Sequence, residues 1–173
     1  MAAITFPSPS LTGGTSEEVF ELSWELFGEL CRALALRVYR DYDPDLVVGI
    51  ATAGVIPAAV IADILQVEFH ALKITRRTAE SYPELISGVP RQAAGQRVLL
   101  VDELTTSGDT LRLALAALRD LRPAEIRTAV CFSRPGGFIP DFHALSTDAL
   151  VVFPWNRPSS RTASWWCTRR TGG

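Results

Sequence analysis

The sequence has few cysteines, and none of them lies close to another along the chain. Its three cysteines, Cys31, Cys131 and Cys167, form no CxxC pair, so their spacing predicts neither a zinc site nor a disulfide framework. Isolated cysteines are typical of reducing compartments, so we expect a cytoplasmic protein. Residues 1–15 also lack the basic and apolar segments of a secretory signal, which agrees with that expectation.

Long apolar runs and an excess of positive charge are also missing. The longest uncharged stretch, residues 46–62, has 17 residues and contains Gly and Pro, whereas a membrane-spanning helix needs about 20 apolar residues. Lys and Arg number 17 against 19 Asp and Glu, a net charge of −2. A domain that binds nucleic acid through its phosphates usually carries a basic stripe. We therefore expect neither a membrane nor a nucleic acid as a partner.

What is present fits one globular domain. The chain has 173 residues, and one domain takes about 150. Its hydrophobic fraction of 47% is ordinary for a globular protein. Residues 1–17, rich in Pro, Ser, Thr and Gly, predict a flexible N-terminal arm, and residues 158–173 predict a separate C-terminal tail. The domain itself is expected to span residues 18–157.

Apolar runs alternate with helical patterns within that domain. A short strand is expected at 18–22, and helices are expected from an N-cap at Ser23 to about 42, from about 57 to 66, and at 109–121. Continuous apolar runs predict five further strands, at 46–50, 67–74, 97–102, 127–132 and 150–153. This alternation predicts an α/β fold, an open parallel five-stranded sheet flanked by helices. Ligands then bind beyond the carboxyl ends of the strands.

One connection is unusually long. Residues 75–96 have no clear period and contain Arg76 and Arg77. Loops of about 20 residues within a domain are usually lids or binding loops. We therefore expect a lid over the site.

The segment from Val98 to Leu111 carries the pattern most relevant to function. An apolar strand ends in two adjacent acids, a loop rich in hydroxyl groups follows, and a helix then begins after Gly108. Backbone N–H groups at a helix start bind anions such as phosphate, and carboxylates suit sugar hydroxyls or a hydrated Mg²⁺. An acidic strand end followed by a Ser/Thr N-cap is common by itself, but the combination favours a site for a sugar phosphate. The segment contains neither GxGxxG nor a Gly-Lys-Ser/Thr loop.

This segment resembles the phosphoribosyl diphosphate (PRPP) signature of type I phosphoribosyltransferases. Residues 45–58, Asp-Leu-Val-Val-Gly-Ile-Ala-Thr-Ala-Gly-Val-Ile-Pro-Ala, resemble the family's pyrophosphate loop, in which a non-proline cis peptide is common. The segments Phe20–Trp24, Phe132–Gly136 and Val152–Asn156 resemble parts of the small bacterial xanthine–guanine members. The resemblance covers residues 18 to 157 and implies the family's fold, with a small hood built from the N-terminal and C-terminal segments.

The resemblance implies transfer of the 5-phosphoribosyl group of PRPP to a purine-like base, with Mg²⁺ as cofactor. Asp102 and Glu103 would contact the ribose hydroxyls and, through ribose or water, the metal. Thr106 is grouped with these two as catalytic. The residues that would bind the 5′-phosphate are Thr105, Thr106, Ser107, Gly108, Asp109 and Thr110. Those for pyrophosphate are Thr52, Ala53, Gly54, Lys73 and Arg76, and those for the base are Arg134, Leu150, Val151, Phe153 and Trp155.

Three positions depart from the family's pattern. Thr52 stands where the pyrophosphate loop usually has Arg, so Lys73, Arg76 or Arg77 would have to supply the missing cation. Thr106 stands where the 6-oxopurine members carry an Asp assigned to proton handling at N7, and Leu150 stands where a Trp stacks on the base. Since Thr is no base at neutral pH, an acceptor without N7, such as a 7-deazapurine, is one hypothesis.

Two other functions remain open on the same fold. One is a regulatory protein that senses PRPP or a nucleotide, and the other is a scaffold whose active site has decayed. The complete acid pair and phosphate loop argue against decay. The family commonly forms dimers or tetramers, so we expect a homodimer or a homotetramer.

Overall fold

The computed structural model describes residues 18–75 and 81–156. Its first helix, α1 (Trp24–Asp41), begins where the sequence predicts, because the Ser23 Oγ accepts a hydrogen bond from the backbone N–H of Leu26 at 3.2 Å. The face of α1 that packs against the rest of the domain is apolar. Its buried members are Phe27, Cys31, Leu34, Ala35 and Val38.

The remaining predicted helices and strands are present, together with two strands that the sequence does not predict, at 84–85 and 142–146. The other helices are α2 (Val55–Leu65) and α3 (Asp109–Arg119). The strands are β1 (Val19–Glu21), β2 (Leu46–Ala51), β3 (Glu68–Thr75), β4 (Glu84–Leu85), β5 (Arg97–Thr105), β6 (Glu125–Ser133), β7 (Phe142–Ser146) and β8 (Leu150–Val152). Among the residues described, no helix is both long and apolar enough to traverse a bilayer.

The main sheet has six strands in the order β4-β3-β2-β5-β6-β7. Five neighbouring strands, β3, β2, β5, β6 and β7, run parallel to one another. The short β4 pairs antiparallel with β3 at the edge of the sheet. Alternate residues of β5 face opposite layers: Leu99 and Val101 pack with α1 and α2, whereas Val98 and Leu100 pack with α3. The α/β class with a parallel sheet between helices is therefore confirmed.

The fifth parallel strand is not the one that the sequence predicts. Residues 150–153 were expected to form it, but β8 pairs in parallel with β1 in a separate two-stranded hood sheet. The fifth strand is β7, in which Phe142 is buried and the other side chains are partly buried or exposed, so the strand lacks a continuous apolar run. Asp141 anchors its start, since the Asp141 Oδ2 accepts hydrogen bonds from both the N–H and the hydroxyl of Thr128 at 2.7 Å.

The long connection after β3 contains more structure than its sequence pattern indicates. It includes β4 and a 3-10 turn at Arg91–Ala93, and the Ile86 N–H donates to the Lys73 carbonyl at 2.8 Å. Arg76 and Arg77 lie outside the described residues, as do the N-terminal arm and the C-terminal tail. The expected lid stays a prediction.

The hood contributes to a third cluster of apolar side chains, separate from the two on either face of the main sheet. Leu22, Phe27, Phe132, Val151 and Phe153 form its buried centre, between α1, the end of β6 and the hood sheet. The free thiols of Cys31 and Cys131 lie in the same cluster, with their sulfurs 4.0 Å apart. The hood is thereby packed onto the carboxyl end of the sheet.

Tyr42, just after α1, ties the helix to the sheet. Its hydroxyl lies 3.0 Å from the Val98 carbonyl and 3.1 Å from the Glu125 carbonyl, and burial raises its pKa above the ordinary range.

We expect Tyr42→Phe to lower the free energy of unfolding by about 1–2 kcal/mol, because two carbonyls lose their donor. Urea denaturation measures this change. Tyr39→Phe, at a residue that is 60% exposed on the same helix, is the matched control, and equal effects of the two changes would contradict the assignment.

Candidate functional site

The end of β5 places two carboxyl groups at the carboxyl edge of the sheet. Asp102 is 8% exposed, and its Oδ1 accepts a hydrogen bond from the Glu103 N–H at 3.0 Å. Burial raises the pKa of Asp102 well above its usual range, and the hydrogen-bonded carboxyl group of Glu103 raises it further. Burial therefore disfavours the charged form of Asp102, and a ligand that supplies donors or positive charge would offset this penalty.

The phosphate loop, residues 105–108, connects β5 to α3 and borders a cavity of about 290 Å³. Gly108 has φ +81°, a left-handed conformation that glycine adopts without a steric penalty. The cavity is lined by Asp102, Leu104, Thr105, Thr106, Ser107, Gly108, Asp109, Thr110 and Leu111. The structure thus brings together all six residues predicted for the 5′-phosphate, beside the acid pair and at the N-terminus of α3.

The side chains around this cavity are unequally available to an anion. The Asp109 carboxylate accepts from the Ser107 hydroxyl at 2.8 Å and forms an ion pair with Arg112 at 3.3 Å. Asp109 would therefore serve a phosphate through its backbone N–H at the helix start, since its carboxylate would repel one. Within residues 18–75 and 81–156, the buried Thr105 hydroxyl has no hydrogen-bond partner. Buried hydroxyls are normally bonded, so Thr105 retains a donor for a ligand.

The turn between β2 and α2 contains the residues predicted to bind pyrophosphate. The peptide bond between Ala51 and Thr52 is cis, as the family resemblance implies. A Cβ atom on Gly54 would lie 2.6 Å from the Asp102 Oδ1 and 2.9 Å from its Cα. Only glycine fits there without a shift of the neighbouring backbone, so the turn packs closely against Asp102.

Lys73 lies next to this turn although 21 positions separate it from Thr52 in sequence. In the register of β2 and β3 it is the partner of Ala51, and its side chain is exposed. Its backbone is held by hydrogen bonds to the Ser87 hydroxyl and from the Ile86 N–H. The sheet thus places one cation beside the turn that lacks its usual arginine, while Arg76 lies outside the described residues.

The residues predicted for the base lie in two parts of the fold, the end of β6 and the hood. Arg134 follows β6, and its N–H donates to the Thr105 carbonyl at 3.0 Å. Its Nε is buried without a partner in the described part of the chain. Val151 and Phe153 are buried in the hood, and Leu150 is half-buried.

Trp155 packs among the aromatic rings of the hood. Its ring stacks on Phe153 at 4.7 Å between centroids and meets the edge of Phe27 at 5.1 Å. The centroid of the Trp24 ring lies 5.7 Å from that of the Trp155 ring. These contacts place Trp155 at the edge of the apolar cluster of the hood.

Sequence reasoning missed two residues beside the phosphate loop. The N–H of Phe138 donates to the Thr106 carbonyl at 2.9 Å, and the Arg112 Nη1 donates to the Ser107 carbonyl at 2.7 Å. Gly137 is the sequence signal of a close backbone approach in this region, since a Cβ atom there would collide with the Thr106 carbonyl oxygen.

The comparisons with known proteins agree with this geometry. Residues 22–159 match the family model of the phosphoribosyl transferase domain. A xanthine-guanine phosphoribosyltransferase of Cereibacter sphaeroides is 30% identical over 156 residues, which cover 81% of this chain and 88% of the relative. Another, of Nitratidesulfovibrio vulgaris, is 26% identical over 155 residues, covering 84% of this chain and 89% of the relative.

The fold also matches a solved structure. The crystal structure of a purine phosphoribosyltransferase from Pyrococcus horikoshii superposes with a TM-score of 0.75 at 26% identity. The match covers 82% of this chain and 96% of that chain.

The buried acid predicts how stability depends on pH. The unfolded chain releases the Asp102 proton near its ordinary pKa of about 3.9, while the folded protein retains it to higher pH. Stability from this group is therefore complete below about pH 3.9 and is lost as the pH rises through the higher folded pKa. We expect Asp102→Asn to remove this loss, so that the variant gains stability relative to the unsubstituted protein as the pH rises.

Urea denaturation in metal-free buffer between pH 4 and 8 measures the effect. Asp63→Asn, at an exposed position in α2, is the matched control. Parallel stability profiles for the Asp102 variant and the unsubstituted protein would show that Asp102 does not titrate in this way.

Proposed function

Because the chain belongs to the phosphoribosyl transferase family, we propose that it transfers the 5-phosphoribosyl group of PRPP to a purine-like base. The chain is a phosphoribosyltransferase, and its relatives support the purine type. The products are a nucleoside 5′-monophosphate and pyrophosphate. The observation that carries the proposal is the position of Asp102, which lines the cavity of the phosphate loop and also packs against Gly54 in the turn after β2.

The donor is held at its two charged ends and at its ribose. The loop from Thr105 to Thr110 binds the 5′-phosphate through backbone N–H groups and hydroxyls, at the positive end of the α3 dipole. Asp102 and Glu103 accept hydrogen bonds from the ribose hydroxyls. Donation by the ribose stabilises the Asp102 carboxylate, which burial otherwise disfavours. Substrate binding and ionisation of the acid pair are therefore linked.

Pyrophosphate is bound by the turn Thr52–Gly54 and by Lys73. The turn offers backbone N–H groups, and Lys73 supplies the cation that Thr52 does not. Arg76 is a second candidate for that charge. The register between Ala51 and Lys73 supports this compensation, because it sets the lysine beside the turn.

The acid pair fits a hydrated Mg²⁺ that is held mainly by substrate and water oxygens. Two carboxyl groups cannot complete an octahedral shell, and the described residues contain no cluster of three or more potential metal ligands. Asp102 and Glu103 would hold the ion through water or through the ribose. When bound, Mg²⁺ neutralises charge on the pyrophosphate as it leaves.

The reaction requires positioning more than covalent assistance. A base nitrogen attacks C1′ of the ribose, the bond from C1′ to the pyrophosphate oxygen breaks, and the pyrophosphate leaves with the electron pair. The proton of the attacking nitrogen passes to water or to the departing pyrophosphate. The chain orients the reactants, aims donors at the pyrophosphate and excludes water. The loop after β3 is proposed to close over the site as a lid.

The base is bound between Arg134 and the hood. The guanidinium group of Arg134 donates to an oxo group of the base, and Leu150, Val151 and Phe153 form an apolar cover. Trp155 supports that cover through Phe153. Thr106 replaces the aspartate assigned to N7, which favours a 7-deazapurine as a second candidate acceptor.

Pyrophosphate release with PRPP, Mg²⁺ and a panel of bases tests the function. The panel contains guanine, xanthine, hypoxanthine, adenine and a 7-deazaguanine analogue. We expect release with at least one purine-like base and its loss, without unfolding, in the double variant Asp102→Asn with Glu103→Gln. Faster use of guanine than of the analogue would refute the 7-deazapurine hypothesis. PRPP binding without turnover of any base would favour a regulatory sensor, and unchanged activity of the double variant would contradict the site.

Arg134 is predicted to act on the base more than on the donor. We expect Arg134→Ala to raise the KM for the base by about tenfold or more and the KM for PRPP by less, because a charged donor to the base is lost. Steady-state kinetics with each substrate varied in turn measures the two effects. Arg119→Ala, at an exposed arginine in the last turn of α3, is the control. A larger effect on PRPP would place Arg134 outside the base pocket.

A further inference from the structure

The loop after β6, residues 134–140, is bonded to the phosphate loop by two backbone hydrogen bonds. The Arg134 N–H donates to the Thr105 carbonyl at 3.0 Å, and the Phe138 N–H donates to the Thr106 carbonyl at 2.9 Å. A third bond, from the Gly137 N–H to the Arg134 carbonyl at 3.2 Å, closes the loop on itself. The two loops therefore form one connected unit, although their sequences lie about 30 positions apart.

Two glycines make this contact possible. A Cβ atom on Gly137 would collide with the carbonyl oxygen of Thr106. A Cβ atom on Gly108 would collide with the side chain of Phe138, whose Cδ2 would be 2.6 Å away. The Phe138 ring thus rests directly on the backbone of Gly108, with no side chain between them.

Arg112 holds the phosphate loop beside the same ring. Its guanidinium carbon lies 5.4 Å from the centroid of the Phe138 ring, within the range of a cation–π contact. Its Nη1 donates to the Ser107 carbonyl at 2.7 Å and pairs with the Asp109 carboxylate at 3.3 Å. Phe138 also packs on the apolar cluster of α3. The ring is therefore fixed by Gly108, by Arg112 and by the core.

We propose that Phe138 is a positioning residue that sets the distance between Arg134 and the phosphate loop. The inference rests on the proposed function, in which Arg134 holds the base and the phosphate loop holds the 5′-phosphate of the donor. The base nitrogen and C1′ must come within about 3–3.5 Å for transfer, and a displacement of about 1 Å can cost 10²-fold in rate. Phe138 touches neither reactant in this proposal. It acts through the two loops that hold them.

Substitution of Phe138 separates positioning from binding of the donor. We expect Phe138→Ala to lower kcat by about tenfold or more at saturating substrates, and to change the KM for PRPP by less than about threefold. Phe138→Tyr, which keeps the ring, restores kcat. Ile139→Ala is the matched control, since Ile139 is the next residue of the loop and is 88% exposed. Equal kcat values for the Ala variants at 138 and 139 would overturn the proposal, as would a loss confined to the KM for PRPP.

A double-variant cycle with Gly108 tests the contact itself. Gly108→Ala meets the Cβ and the ring of Phe138 and also a φ of +81°, whereas in the Phe138→Gly background, which removes that Cβ, only the backbone cost at position 108 remains. The loss of kcat caused by Gly108→Ala should therefore be about tenfold smaller in that background. Additive losses would overturn the proposal. Circular dichroism confirms that each variant is folded; in the kcat comparison with Ile139→Ala, Phe138→Leu replaces Phe138→Ala if the latter is not.

A binding measurement keeps this inference distinct from the proposed function. If the unsubstituted protein releases no pyrophosphate with any base, the proposed function fails. Phe138→Ala should still weaken binding of guanosine 5′-monophosphate by about tenfold and change that of ribose 5-phosphate by less than about threefold, because only the former spans both loops. Equal weakening of the two ligands would overturn the positioning role.

Discussion

The side chain of Asp102 is packed against the backbone of Gly54, and this contact holds the parts of the candidate site together. A Cβ atom at position 54 would lie 2.6 Å from the Asp102 Oδ1, so the turn after β2 and the end of β5 are in close contact only because residue 54 is glycine. The same packing removes Asp102 from water and raises its pKa. A buried acid with one backbone donor is costly to ionise, and a ligand that brings hydroxyls or a cation offsets that cost. The constraint that shapes the site therefore also makes it receptive to the proposed donor.

The net charge of −2 is compatible with a polyanionic substrate because the proposed neutralisation is local. Backbone N–H groups at the start of α3 and in the turn after β2, Lys73 at the register position of Ala51, and Mg²⁺ together replace a basic surface. Arg112 contributes indirectly, since its charge is engaged by Asp109 and by the Ser107 carbonyl. Its effect is on the conformation of the loop, through the carbonyl that it holds and the Phe138 ring beside it.

Local patterns predicted most of the elements, and half-buried ones escaped them. Ser23 is the N-cap of α1 as expected, and the strands buried on both faces carry the continuous apolar runs from which they were predicted. β7 was missed because an edge strand needs apolar residues only where it meets the core, and its anchor, Asp141 bonded to Thr128, lies outside the strand. The apolar run at 150–153 predicts a strand of the main sheet, but its strand belongs to the hood sheet. The sequence does not distinguish the two, since either sheet buries an apolar run.

The chemistry available to the site is written in local sequence. It consists of an acid pair, a hydroxyl-rich loop before a helix, a turn without its usual arginine, and a threonine where the 6-oxopurine members carry an aspartate. These features are contiguous, so local sequence carries them. Which distant residues join these features depends on the tertiary structure. Lys73 reaches the Ala51 turn through the register of two parallel strands, and Phe138 reaches Gly108 through the return of the loop after β6. Strand register and loop contact depend on packing between segments far apart in the chain, and no local pattern records them.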